Sequence, residues 1–101
     1  MAETLNEITV NYDMEGEQVI EELDKIVLQK GVWAVLLFRY REKNKKTREF
    51  GPPKVTLRRY QKFRGEYRKR DTVNLSKNSA QALVDILTEW IDAGHLGDEE
   101  E

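Results

Sequence analysis

Two ten-residue stretches with alternating side chains, on either side of Arg64-Gly65, leave few folds open to this chain. Their sequences are KVTLRRYQKF (54–63) and EYRKRDTVNL (66–75). Successive side chains of a β-strand point to opposite faces, and a short turn containing glycine joins antiparallel neighbours. The two stretches therefore predict a β-hairpin whose first strand carries Val55 and Leu57 on one face and Tyr60 on the other.

A third strand is predicted upstream of this hairpin, from Val32 to Arg41. Its sequence is rich in aromatic and β-branched residues and is apolar on both faces before Arg39, which is typical of a strand with a buried first half. Trp33 is accordingly expected in the core. Residues 42–53 are lysine-rich and end in two prolines, and they are expected to form an exposed hairpin or flap. All three strands are expected in one antiparallel sheet.

The C-terminal part predicts one amphipathic helix. Ser76 offers an N-cap, and Gly94 offers a C-terminal stop. The apolar side chains between them recur at spacings of three and four residues, the period of one helix face. They are Ala80, Leu83, Val84, Leu87, Trp90 and Ile91. We expect this helix to cover the apolar face of the sheet with Leu83, Leu87 and Trp90, so that Trp90 also lies in the core.

The N-terminal part predicts a short strand followed by a second helix. Residues 8–12 alternate apolar and polar side chains, which favours a strand. Asp13 then provides an N-cap for a helix that ends at Gly31. The helix is predicted from apolar residues spaced by three and four, namely Val19, Ile20, Leu23, Ile26 and Val27. The chain is expected to be one α+β domain over residues 1–95, with a disordered acidic tail at 96–101.

Charge is strongly segregated along the chain. Residues 39–70 contain fourteen Lys and Arg against three Glu, a formal charge of +11, and the remainder carries −13. A partner that meets the middle of the chain therefore meets a basic surface, although the formal net charge is −2.

Several function classes lack a sequence signal. The chain has no cysteine, a single histidine that follows a helix end, and no glycine-rich phosphate loop, so we expect no enzymatic activity, cofactor or metal site. No apolar run of membrane length and no secretory signal is visible. A cytoplasmic protein, associated with the nucleoid if the source is bacterial, is the expectation.

The basic strands interleave cations with aromatic rings, which favours binding of single-stranded nucleic acid. Lys and Arg attract phosphates, whereas exposed rings stack on unpaired bases. If the helix covers Val55, strand alternation places Tyr60 and its neighbouring cations on the uncovered face. The predicted contact residues are Arg58, Tyr60 and Lys62 on one strand, Arg68 and Arg70 on the next, and Arg39, Arg41, Lys45 and Lys46 upstream.

Three alternatives stay open at this point. A one-residue bulge at Arg58-Arg59 would present Arg59 and Phe63 in place of the predicted set. The cations would otherwise only solvate the outer face of the sheet and discourage pairing at its edge. The third alternative is a protein-interaction module whose basic face docks an acidic partner, or the acidic segments of a neighbouring copy.

The run from 54 to 91 resembles the single-stranded-DNA-binding domain of the transcriptional coactivator called positive cofactor four, a family that also has bacterial members. Val55-Thr56-Leu57-Arg58-Arg59-Tyr60 looks like a strand pattern of that family, and Asn74-Leu75-Ser76 looks like the end of its basic strand. The usual Pro-Gly-Lys-Lys-Gly turn of the family is replaced by Arg68-Lys69-Arg70-Asp71, and residues 8–30 are additional. Repeats of the Pur-alpha family share the same order of four strands and a helix.

The resemblance implies a homodimer of curved four-stranded sheets, each backed by a helix, with single strands of DNA lying along the sheet faces and bases stacked on aromatic rings. The expected fold is thus α+β, with a curved antiparallel four-stranded sheet backed by a C-terminal helix and an extra N-terminal strand and helix. The implied function is binding of single-stranded DNA or RNA without enzymatic activity. The implied role is that of a coactivator-like transcription factor or a DNA-maintenance factor, in contact with the transcription machinery.

Overall fold

A computed structural model describes residues 2–97, so most of the predicted tail, residues 98–101, lies outside the described residues. The elements are a 3-10 turn Leu5–Glu7, strands β1 Tyr12–Met14, β2 Glu17–Gln29, β3 Trp33–Glu42, β4 Lys54–Phe63 and β5 Glu66–Leu75, and helix α1 Lys77–Asp92. Within these residues, five strands form one curled antiparallel sheet in the order β1-β2-β3-β4-β5. The α+β class and the antiparallel pairing of β3, β4 and β5 are confirmed, whereas the sheet has one strand more than expected.

The predicted N-terminal helix is wrong, because residues 17–29 form the thirteen-residue strand β2. Glu15 and Gly16 have positive φ angles of 54° and 78°, which suit a tight hairpin turn, and they fold β2 back on β1. The pairing of β2 with β3 shifts at Leu23 and again at Leu28. Each bulge moves the alternation by one residue, so a bulged strand acquires apolar residues three and four apart and imitates the helical period.

Residues 2–10, which we term the strap, pack against one face of the sheet. Ile8 and Val10 are buried, at 2% and 4% exposure. Lys25 Nζ on β2 holds the strap by donating hydrogen bonds to three of its carbonyl oxygens, those of Leu5 and Ile8 at 2.7 Å and that of Asn6 at 3.2 Å. The predicted strand over residues 8–12 is therefore mostly strap, and only its last residue belongs to β1. The buried core combines strap and sheet: Ile8, Val10, Ala34, Leu36, Phe38, Tyr40 and Tyr60.

Strand pairing divides the side chains of the sheet into two faces. The covered face lies under the strap and includes Phe38, Thr56 and Tyr60. The alternate side chains form the open face, whose centre is apolar. The central residues are Ile26, Val35, Leu37, Val55, Leu57, Val73 and Leu75. All seven are half-buried or exposed, so the strap does not cover the apolar face that was expected to lie under the helix.

Helix α1 begins and ends where the sequence predicts. Ser76 Oγ accepts a hydrogen bond from Ser79 N at 3.1 Å, and Gly94, with a φ of 73°, follows the last turn. In the described chain, however, no α1 residue is buried, and the sheet contacts of the helix are with the edge strand β5. The expectation that Leu83, Leu87 and Trp90 pack on the sheet of the same chain is wrong, since the one-residue link at Ser76 leaves α1 at the sheet edge. Neither α1 nor any other helix within residues 2–97 is long and apolar enough to cross a membrane.

Residues 43–53 form the predicted exposed flap. Lys43 and Phe50 make an isolated antiparallel bridge across its base. Asn44 Oδ1 accepts hydrogen bonds from Lys46 N at 2.8 Å and from Thr47 N at 3.2 Å. A short amide side chain that bonds the backbone two and three residues later stabilises a turn, and here it shapes the tip of the flap.

Candidate nucleic-acid interface

The β4–β5 hairpin turns at Arg64-Gly65, as predicted, with φ angles of 53° and 81°. Pairing is regular near the turn, but the register shifts between Arg59 and Tyr60, and Arg70 is left as an extra residue in β5. This extra residue is a β-bulge. As a result, the open face carries the even-numbered side chains of β5 before Arg70 and the odd-numbered side chains after it. The sequence alternation does not show this change.

The covered face does not offer the predicted stacking ring. Tyr60 is only 7% exposed and belongs to the core with Ile8 and Val10. Arg58, two residues earlier on the same face, is half-buried, and its Nε has no hydrogen-bond acceptor among residues 2–97. The expectation that Arg58 and Tyr60 line an uncovered face is therefore wrong, because the strap rather than α1 supplies the cover.

One end of the open face, beside the β2–β3 and β4–β5 turns, is aromatic and cationic. Trp33 and Phe63 are 37% and 46% exposed there. Arg59 Cζ lies 4.5 Å from the centroid of the Trp33 ring, and Arg68 Cζ lies 5.6 Å from that of Phe63. The predicted core position of Trp33 is wrong, since the strap lies on the opposite face. We term this end the aromatic platform, and its members are Trp33, Arg59, Gln61, Phe63, Arg68 and Arg70.

Hydrogen bonds orient two arginines of the platform. Arg59 Nε donates to Asp71 Oδ2 at 2.6 Å, and Arg70 Nε donates to Gln61 Oε1 at 3.0 Å. Side chains that are already ordered lose less conformational entropy when a ligand binds. The platform is therefore partly preorganised, with Arg59 placed more for stacking beside Trp33 than for pairing with a further anion.

Ion pairs occupy three cations in or beside the base of the flap, whereas Lys45 and Lys46 at its tip make none with a carboxylate of residues 2–97. Arg41 binds Glu21 at 2.6 Å, while Lys43 and Arg48 bind Glu17 at 2.7 Å and 2.8 Å. Near the hairpin turn, between residues 62 and 70, five cations make no ion pair with a carboxylate of residues 2–97. They are Lys62, Arg64, Arg68, Lys69 and Arg70. A phosphate can approach Arg68 and Arg70, which lie on the open face, without displacing a carboxylate, so the platform combines anion-binding cations with its exposed rings.

Glu17 forms ion pairs with two cations of the flap, Lys43 and Arg48. The hydrogen bond from Lys43, with the charge of Arg48 also contributing, lowers the pKa of Glu17 below its ordinary value. Because the pKa of Glu17 is lowered in the folded state, its ion pairs with Lys43 and Arg48 stabilise the fold at neutral pH. This contribution is lost as the pH falls through the lowered pKa. Around neutral pH, Glu17 is therefore ionised and pairs with Lys43 and Arg48.

The nine contact residues predicted from the sequence do not converge on one surface. Arg68 and Arg70 belong to the platform, but Arg58, Tyr60 and Lys62 lie on the covered face. The other four lie elsewhere: Arg39 and Arg41 at the far end of the open face, Lys45 and Lys46 at the flap tip. Sequence reasoning missed Trp33, and it reached Arg59 and Phe63 only through the alternative of a bulge. The bulge exists, but it lies in β5 rather than at Arg58-Arg59.

Comparisons with protein-family models, with curated proteins and with solved structures find no match for this chain. Its function is therefore inferred from the geometry and charge of its own surfaces.

Proposed function

We propose that this chain binds single-stranded nucleic acid, DNA or RNA, at the aromatic platform. The observation that carries the proposal is the pairing of exposed rings with cations on one sheet face, Trp33 beside Arg59 and Phe63 beside Arg68. Unpaired bases stack on such rings, and neighbouring guanidinium groups contribute phosphate binding and cation–π contacts. Duplex DNA keeps its bases stacked inside the helix, so it gains the phosphate interaction without the stacking.

The order of elements supports the resemblance to the single-stranded-DNA-binding domain of positive cofactor four. Four long strands, β2 to β5, are followed directly by α1, and the fifth strand is the short β1 at the edge of β2. On this basis we propose a cytoplasmic coactivator-like transcription factor or DNA-maintenance factor that contacts the transcription machinery. The contact residues we propose are those of the platform, in place of the set predicted on the Tyr60 face.

A second candidate function is the docking of an acidic protein. Arg68 and Arg70 support it, because neither makes an ion pair with a carboxylate of residues 2–97 and each can bind one supplied by a partner. An acidic partner needs the arginines but not the exposed rings. Phe63→Leu, which removes the ring and keeps an apolar side chain, should therefore weaken nucleic-acid binding and leave binding of an acidic peptide unchanged.

The test of the proposed function is a fluorescence anisotropy titration with a labelled single-stranded oligonucleotide and with the same oligonucleotide in duplex form. We expect the single strand to bind more tightly at each salt concentration, since it alone can stack on Trp33 and Phe63. Equal affinities, or tighter binding of the duplex, would contradict the proposal.

Arg68→Ala is expected to flatten the salt dependence of single-strand binding. Each phosphate contact that is lost should reduce the slope of log affinity against log salt by about 0.7. Arg41→Ala is the matched control, because Arg41 is already bound to Glu21 at 2.6 Å and lies away from the platform. Equal changes of slope in the two variants would show that overall charge, rather than the platform, governs binding.

A further inference from the structure

Arg70 is a cation of the platform whose outer N–H groups are available to a ligand. Its Nε donates to Gln61 Oε1 at 3.0 Å, and within residues 2–97 the guanidinium makes neither an ion pair nor a cation–π contact. An arginine carries five N–H donors in one plane, so the donors of its two terminal nitrogens, Nη1 and Nη2, remain. They form a planar fork that suits two neighbouring acceptor atoms.

The amide of Gln61 is oriented by the same hydrogen bond. Because an arginine can only donate, the amide oxygen must face Arg70, and the amino group Nε2 with its two N–H donors faces away from it. Gln61 is half-buried in β4, opposite Trp33 of β3 and Arg68 of β5. Nη1 and Nη2 of Arg70 and Nε2 of Gln61 therefore form a surface made only of hydrogen-bond donors, which we term the donor surface.

The donor surface lies beside both exposed rings of the platform. Gln61 is directly opposite Trp33 in the β3–β4 register, and such positions have Cβ atoms about 5 Å apart. Phe63 is two residues further along β4 on the same face, at about 7 Å. A base stacked on either ring therefore has an edge within reach of the donor surface.

The neighbouring carboxylate, that of Asp71, is bound to a different arginine. Its Oδ2 accepts a hydrogen bond from Arg59 Nε at 2.6 Å and lies 2.5 Å from Arg59 Nη2. Arg59 in turn lies beside the Trp33 ring. The charge of Asp71 is thus neutralised by Arg59, and the fork of Arg70 stays free for acceptors from outside the chain.

Guanine is the base whose edge best matches a fork of donors. Its N7 and O6 are neighbouring acceptors, whereas adenine places an amino group beside N7 and cytosine carries an amino group, N4, on its hydrogen-bonding edge. An arginine bound to O6 and N7 of guanine is the commonest specific contact between proteins and bases in DNA. The two donors of Gln61 Nε2 add to the same preference, since they disfavour bases that present an amino group.

We propose that the platform selects guanine among unpaired bases, with Arg70 donating to O6 and N7 of a guanine that stacks on Trp33 or Phe63. Gln61 is a positioning residue, because its Oε1 fixes the guanidinium of Arg70 beside the rings. This inference rests on the proposed binding of single-stranded nucleic acid and adds a base preference to it. Stacking and phosphate contacts alone are largely independent of sequence.

Anisotropy titrations with short oligothymidines that differ in one central base test the preference. Hypoxanthine keeps both N7 and O6, so it should bind as tightly as guanine. 7-Deazaguanine lacks N7, and adenine carries an amino group in place of O6. Each of these two should bind about 5-fold more weakly than guanine, the lower end of the discrimination that a bidentate contact gives.

The outcomes separate this inference from the proposed function. Equal affinities for guanine and 7-deazaguanine, or tighter binding of a central cytosine, would overturn the guanine preference. The proposed function would still hold if these single strands bound more tightly than their duplexes. A protein that bound none of the single strands would overturn both.

Three variants locate the preference within the platform. Arg70→Ala should bring the affinities for guanine and 7-deazaguanine together. Lys69→Ala is the matched control, because it removes the same charge from the adjacent position on the covered face, and it should keep the difference. Gln61→Leu leaves every charge in place and should reduce the difference without changing the salt dependence. A difference that persists in Arg70→Ala, or that disappears equally in Lys69→Ala, would contradict the assignment to Arg70.

Discussion

Phe63→Ala is expected to weaken binding of a single-stranded oligonucleotide by about 1–3 kcal/mol, roughly 5- to 150-fold in affinity, because it removes one stacking ring. Phe63 is 46% exposed, so its loss should leave the core intact. The slope of log affinity against log salt should not change, since no phosphate contact is lost. Anisotropy titrations at several salt concentrations measure both quantities.

Phe50→Ala is the matched control for this substitution. Phe50 also lies beside cations, with Arg41 Cζ at 4.3 Å and Lys43 Nζ at 5.1 Å from its ring centroid. It belongs to the flap rather than to the platform, so its loss should leave single-strand affinity unchanged. If Phe50→Ala weakens binding as much as Phe63→Ala does, the platform is not the stacking site.

Phe38→Ala is expected to lower the free energy of unfolding by about 3–5 kcal/mol. Phe38 is 0% exposed and packs between the sheet and the strap residues Ile8 and Val10. A loss of this size is a large share of the roughly 5–15 kcal/mol that stabilises a typical domain. Urea titration followed by circular dichroism, with a fixed chain concentration, measures the change.

Phe63→Ala is the comparison for the effect of Phe38→Ala on the free energy of unfolding. Phe63→Ala should destabilise the fold much less than Phe38→Ala, because its ring is already 46% exposed. Tyr60, which the sequence assigns to base stacking, should behave like Phe38, so that its replacement by Ala acts on stability first. Similar losses of stability at Phe38 and Phe63 would contradict a core formed under the strap.

The β4–β5 hairpin and the start of α1 are predictable from the sequence because their signals are local. The turn at Arg64-Gly65 and the cap at Ser76 each act within a few residues, and the strand alternation does the same. The boundaries of β4 and β5 consequently agree with the sequence-based prediction.

The helical prediction for β2 and the choice of binding face fail for a different reason. The bulges at Leu23, Leu28 and Arg70 are set by pairing with the neighbouring strand, and each one reverses the face of the residues beyond it. The burial of Tyr60 depends on the strap, which is distant from it in sequence. Neither influence is visible in the alternation of a single strand, so the sequence groups Arg68 with Arg58 and Tyr60 on one face, whereas the structure places Arg68 on the opposite face.

Ultraviolet cross-linking of a bromouracil-substituted single strand, followed by mass spectrometry of the linked peptides, tests the binding surface most directly. Bases that stack on the platform should cross-link to the peptides that contain Trp33 and Phe63, and an excess of unlabelled single strand should compete more effectively than duplex. Cross-links confined to the flap or to helix α1, with none at Trp33 or Phe63, would contradict the proposal that nucleic acid binds on the open face.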